Sequence, residues 1–196
     1  FRIPNFLQNL FGEGVLSASF IPVYAGLRAR GNEEEARRTA GAIFSILALL
    51  TSLLVLAGVA ATPLLIDVIA PGFHGAKREL TIELVRVLFP GAGLLVLSAW
   101  CLGVLNSHRR FFLSYAAPVM WNAAMIPALV FGPHGDRNAL AVVLAWASVA
   151  GSALQFGVQF PVVLGLLKGL RPTLRRTADV RTVLVNFFPV FIGRGV

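Results

Sequence analysis

Apolar residues run along this chain in long blocks rather than in alternation. Six blocks stand out, at roughly 3–26, 39–69, 79–106, 111–132 and 138–168, with a sixth starting near Val180. Each complete block meets the roughly 20 apolar residues a helix needs to cross a bilayer. Without period-two alternation, and at this length, the helix is the spanning structure that satisfies its own backbone. The breaks carry turn chemistry: Arg30-Gly31-Asn32, Ala70-Pro71-Gly72, Gly132-Pro133-His134-Gly135-Asp136, and Gly169 through Pro172. The pattern predicts an all-α, polytopic transmembrane helix bundle. The chain starts inside one apolar block and stops inside another, so the expectation is a piece of a longer protein with a helix before Phe1.

Composition agrees. Of 196 residues 57% are hydrophobic and 13% charged, where a soluble domain is about one quarter charged. A net charge of +8 would point to nucleic acid in a soluble protein. Here the basic residues sit in short connections, so no nucleic-acid partner is expected. The 27–38, 107–110 and 168–181 connections hold eleven Lys and Arg, against three (Lys77, Arg78, Arg137) on the other side. Positive residues favour the cytoplasmic face, which places those three connections inside and runs the first block inward. The remaining cations, Arg2, Arg86 and Arg194, fall at or within blocks, where a charge costs about 2.5–3.5 kcal/mol and marks a pathway or a partner. Cys101 stands alone in an apolar run and reads as a small core residue.

The first block is unusual. On a helix at roughly 100° per residue, Arg2, Asn5, Asn9, Glu13 and Ser17 fall within about a third of the circumference, with Tyr24 on the same side. A polar stripe at membrane depth needs water or a polar ligand beside it, so the stripe reads as a cavity lining. Internal structure would also use these groups: Arg2 snorkelling to the interface, Glu13 paired with a cation, the amides bonding neighbouring helices. For a single amide such as Asn9 the two readings stand level. In the fifth block Gln155 and Gln159 share a face, and Pro90, Pro118, Pro127 and Pro161 interrupt spans. No phosphate loop, zinc-protease motif or nucleophile elbow is present, and His74, His108 and His134 lie in connections without metal spacing. His134 and Asp136 read as a turn, and Glu33-Glu34-Glu35 as a solvated helix start. Nothing reads as an enzyme.

Several stretches together resemble the signature of the lipid II flippase family (MurJ/MviN). They are Arg2-Ile3-Pro4-Asn5-Phe6-Leu7, Leu10-Phe11-Gly12-Glu13-Gly14 and Ser17-Ala18-Ser19-Phe20-Ile21-Pro22-Val23. They continue with Ala70-Pro71-Gly72-Phe73, Leu105-Asn106-Ser107 before Arg110-Phe111, Ala117-Pro118-Val119 with Asn122, Gln155 through Pro161, and Gly193-Arg194-Gly195-Val196. That family is MATE-like, with two six-helix lobes around a cationic cavity. The resemblance implies that residues 1–179 are the N-lobe without its first helix and that 180–196 begin the C-lobe. It implies transport of the undecaprenyl-pyrophosphate-linked disaccharide pentapeptide, lipid II, across the bacterial cytoplasmic membrane for peptidoglycan synthesis. Membrane lipids are the other expected partners; no cofactor is implied, and a coupling ion stays open. Arg2, Asn5, Gln8, Asn9, Glu13, Ser17 and Arg194 are the expected cavity residues. Many members carry Arg-Arg where this chain has Gln8 and Asn9. Gln8 can donate to phosphate but brings no charge, and Arg2 or Arg194 stands to compensate unless the pattern belongs to a subfamily. A related exporter of drugs or polysaccharide-linked lipids, driven by an ion gradient, is the alternative function, and a non-transporting membrane scaffold the third.

Overall fold

The computed structural model describes residues 13–169 and 178–195, with side chains described from 18 to 169 and from 178 to 187. The chain is all-helical over these residues. The helices are α1 (Glu13–Ala29), α2 (Glu33–Ile69), α3 (Ala76–Ser107), α4 (Phe111–Phe131), α5 (Arg137–Leu166) and α6 (Ala178–Gly195). Four of them, α2 to α5, are long and apolar enough to cross a membrane. With 21 residues, α4 is about 31 Å long, which matches the roughly 30 Å hydrocarbon core. The 37 residues of α2 reach about 55 Å and project beyond that slab.

The turns that end α1, α3 and α5 have one construction. In each, the third residue past the helix sends its N–H back to a carbonyl five residues earlier: Asn32 to Leu27 (3.0 Å), Arg110 to Leu105 (2.9 Å) and Gly169 to Leu164 (2.9 Å). This is the Schellman arrangement, which needs one residue at positive φ. Gly31 supplies it after α1 (φ 77°), but Arg109 (φ 58°) and Lys168 (φ 50°) do so after α3 and α5. A side chain in that conformation costs about 1–2 kcal/mol, and a cation at a helix C-terminus recovers part of it against the helix dipole. All three turns lie at one end of the bundle, the basic end.

At the opposite end Asp136 caps α5, its Oδ1 accepting from the N–H groups of Asn138 (2.8 Å) and Ala139 (3.2 Å). The His134–Asp136 segment is therefore a turn, as its sequence indicates. Arg78 grips Asp67 with two bonds, Nε to Oδ1 at 2.7 Å and Nη2 to Oδ2 at 2.9 Å, which closes the α2–α3 hairpin.

The core is built around α3, which packs on α5, α2 and α1. Phe20, Tyr24, Leu27, Ile43, Trp100 and Val183 belong to one buried cluster that joins α1, α2, α3 and α6, and Cys101 lies within it. A smaller cluster of Ile66, Ile82, Val85 and Phe89 fills the α2–α3 hairpin towards the other end. On the outside, α4 leaves Phe112 86% exposed and Phe131 85% exposed, a surface suited to lipid and not to water. α4 packs on α5 and α3, whereas α6 packs on α1 and α2.

The prolines read as interruptions do not end their helices. α3, α4 and α5 run on through Pro90, Pro118, Pro127 and Pro161, as α1 does through Pro22 and α2 through Pro63. A proline removes one N–H and frees the carbonyl four residues back, which membrane helices tolerate when another donor supplies the bond. For Pro63 that donor is visible: Arg86 Nε, on α3, donates to Val59 O at 3.3 Å.

Candidate functional site

The residues that carry chemistry fall into three groups along the bundle. The first closes its basic end. Tyr24 is 1% exposed, and its hydroxyl lies 2.8 Å from His108 Nε2. A neutral imidazole protonated at Nδ1 accepts a hydrogen bond from that hydroxyl at Nε2. Arg28, one turn on from Tyr24, donates Nη1 to the carbonyl of Ser107, and its Nε is 3.5 Å from Glu33 Oε1. The end of α1, the start of α2 and the end of α3 are thereby tied together. Burial of the ring, then the nearby Arg28, hold the His108 pKa below its ordinary value near 6.5.

That depression has a sign. Because the folded protein disfavours the charged ring, stability from this site is full above about pH 6.5 and falls as pH drops from there to the lowered pKa. Arg28 and Arg110 oppose protonation while Glu33 favours it. Thermal midpoints of the full-length protein are expected to fall between pH 7.5 and 5.5, and His108→Phe should flatten part of that slope. An identical slope in the variant would remove His108 from the account.

The second group is a polar cluster sealed between α3 and α5. The Ser98 hydroxyl donates to Gln159 Oε1 at 2.5 Å and accepts from Gln155 Nε2 at 3.1 Å. Gln159 is fully buried, and its Nε2 has no protein partner. The shared face of the two glutamines is evident from their spacing. Ser98 lies on another helix, and nothing local in the sequence links it to them.

The third is Arg86. Its sequence position marks it as a charge at membrane depth in need of a partner. The structure gives it a structural one, the Val59 carbonyl freed by Pro63. That pairing is legible only after the α2–α3 register is known.

Of the cavity residues expected from sequence, Arg2, Asn5, Gln8 and Asn9 lie outside the described residues. Glu13 and Ser17 are placed on α1, and Arg194 on α6, by backbone alone. Tyr24, on the same helical side as the stripe, is described. It faces inward with Phe20 and Leu27, and ends in the closed contact with His108. Among the described residues no group of three or more His, Cys, Asp or Glu could share a metal ion.

A helical bundle with apolar exposed helices, basic turns at one end and polar groups locked between helices is a polytopic membrane protein. Its relatives narrow the class: the chain belongs to the family described as lipid II flippase MurJ, whose profile matches residues 1–196. It is 34% identical over 197 aligned residues to "Lipid II flippase MurJ" of Burkholderia cenocepacia, covering 96% of this chain and 38% of that protein. It is 35% identical over 207 aligned residues to "Probable lipid II flippase MurJ" of Rhizobium tropici, covering all of this chain and 38% of the relative. The counterpart of Rhizobium meliloti is 31% identical, again over the whole chain and 38% of its own length. The chain thus spans well under half the length of these curated relatives.

Proposed function

We propose that the protein to which these helices belong carries lipid II from the cytoplasmic to the outer leaflet of the bacterial inner membrane, and that it transports without catalysing a reaction. The observation that carries this reading is the family match along all of residues 1–196, and the six-helix arrangement is compatible with it. On this reading, residues 1–179 form most of an N-lobe and 180–196 begin the second lobe. The basic end faces the cytoplasm, in keeping with the bias of Lys and Arg. A pyrophosphate and its sugars do not cross hydrocarbon unaided, so a wet, cationic cavity must shield them. Arg2 and Arg194 are the proposed pyrophosphate ligands, since a guanidinium meets phosphate with two bonds and stays charged. Asn5, Gln8, Asn9, Glu13 and Ser17 complete the proposed wall. No cofactor is assigned, and a coupling ion would be a second substrate.

The test is complementation. The full-length protein, expressed in cells depleted of their own lipid II flippase, is expected to restore growth and cell shape. Membrane-inserted protein at normal level that fails to rescue, yet lowers sensitivity to cationic drugs, would favour the related exporter function instead.

A further inference from the structure

We infer that a groove at the foot of α4 is a binding site for an anionic phospholipid. The groove has a volume of about 460 Å³ and is lined by Arg110, Phe112, Leu113, Val162, Gly165 and Leu166. That size is within the roughly 300–1,000 Å³ of small-molecule sites. Its walls are apolar apart from Arg110 at the mouth, and no acid lines it. The Arg110 side chain takes part in none of the ion pairs among the described residues.

Depth decides the occupant. α4 matches the hydrocarbon core in length, so its first residue, Phe111, stands at the edge of that core and Arg110 at the level of lipid phosphates. Phe112, Leu113, Val162 and Leu166 then lie just inside the acyl region. Among the described residues nothing covers this face: Phe112 is 86% exposed and Tyr115 79%, and α6 packs on α1 and α2 and not on α4 or α5. Gly165 makes room on α5, since a Cβ built there would meet nothing within 4 Å. Arg109 and Lys168, both exposed, flank the mouth in sequence and raise the local positive potential. A phosphodiester on Arg110 with an acyl chain along the apolar walls satisfies both parts of the site. A free phosphate would leave the walls empty, and an uncharged lipid would leave Arg110 without its counter-ion.

The site shares no residue with the proposed transport cavity, and its test does not require transport. Full-length protein in neutral detergent is titrated with dioleoyl phosphatidylglycerol, and bound lipid is counted by the mass of the intact complex. Dioleoyl phosphatidylcholine and undecaprenyl phosphate are parallel arms. Saturable phosphatidylglycerol binding is expected, weakened about tenfold or more by Arg110→Gln through loss of a charge-assisted bond. Gly165→Phe, which fills the groove, should abolish that binding event. If Gly165→Phe does not fold, Arg110→Gln decides alone, because Arg110 is exposed on a turn. Wild-type affinity in Arg110→Gln, or equal binding of phosphatidylcholine, overturns the inference. Displacement of phosphatidylglycerol by equimolar undecaprenyl phosphate also overturns it, and would assign the groove to a polyprenyl carrier.

Discussion

Gly151→Leu is expected to yield no folded protein. At Gly151, α5 passes so close to α4 that an added Cβ would lie 2.9 Å from Trp121 Cα and 3.0 Å from Trp121 O. Those atoms are backbone, so no side-chain rotation relieves the clash and α4 itself must move. α4 has few alternatives: apart from α5 it packs only on α3 among the described helices. Close approach through small residues is how membrane helices associate, because lipid offers little hydrophobic drive between them. Gly151→Ala is the graded version, expected to lower stability by about 1–3 kcal/mol as an overpacked contact. Gly157, six residues on, is the control, since a Cβ there would meet nothing within 4 Å. Gly157→Ala should stabilise by about 0.5–1 kcal/mol, the usual gain on replacing a helical glycine. Thermal midpoints of the full-length variants measure both signs. A Gly151→Ala protein as stable as the parent would mean that the α4–α5 contact is looser than described.

The helices were legible because membrane spans advertise themselves by length and apolarity. The block at 111–132 and the helix Phe111–Phe131 differ by one residue at one end. In places a local rule misled. Pro90, Pro118, Pro127 and Pro161 carry a local penalty that reads as interruption, yet the helices continue through them. The donor that completes the bond lost at Pro63 is Arg86, 23 positions away. The turns at Arg109 and Lys168 hold a left-handed residue where sequence would expect glycine. His108, with no metal spacing and no nearby carboxylate in the sequence, proved to be the partner of Tyr24, 84 positions earlier. Periodicity could place Tyr24 on the polar side of α1. It could not show that this side closes on the end of α3.

Arg194→Ala is expected to abolish most headgroup binding while leaving most of the folded protein intact. α1 and α6 pack on each other, and Tyr24 and Val183 are buried in the same cluster. Glu13 lies eleven residues back from Tyr24, and Arg194 eleven residues on from Val183. At about 1.5 Å per residue each lies about 16 Å along its own helix from its member of that cluster. An acid and a base on two helices that pack on each other invite two readings. In the first, Arg194 forms a wall with Arg2 and offers its fork to the pyrophosphate, and Gly193 and Gly195 leave room for a bulky head. In the second, Arg194 pairs with Glu13 and never meets substrate. The readings part under substitution, because removing one member of a buried ion pair costs about 3–5 kcal/mol and removing both costs far less. On the ligand reading, Arg194→Lys keeps charge but loses the two-bond geometry, so affinity falls partly and Arg194→Ala drops it further. Arg2→Ala should weaken binding as well, and Glu13→Leu should impair transport while the protein still inserts. Headgroup affinity and thermal stability are to be measured for Arg194→Ala, Glu13→Leu and the double variant. Unchanged affinity in Arg194→Ala, with stability lost in that variant and restored in the double one, would assign Arg194 to the bundle and leave Arg2 to meet the phosphate without it.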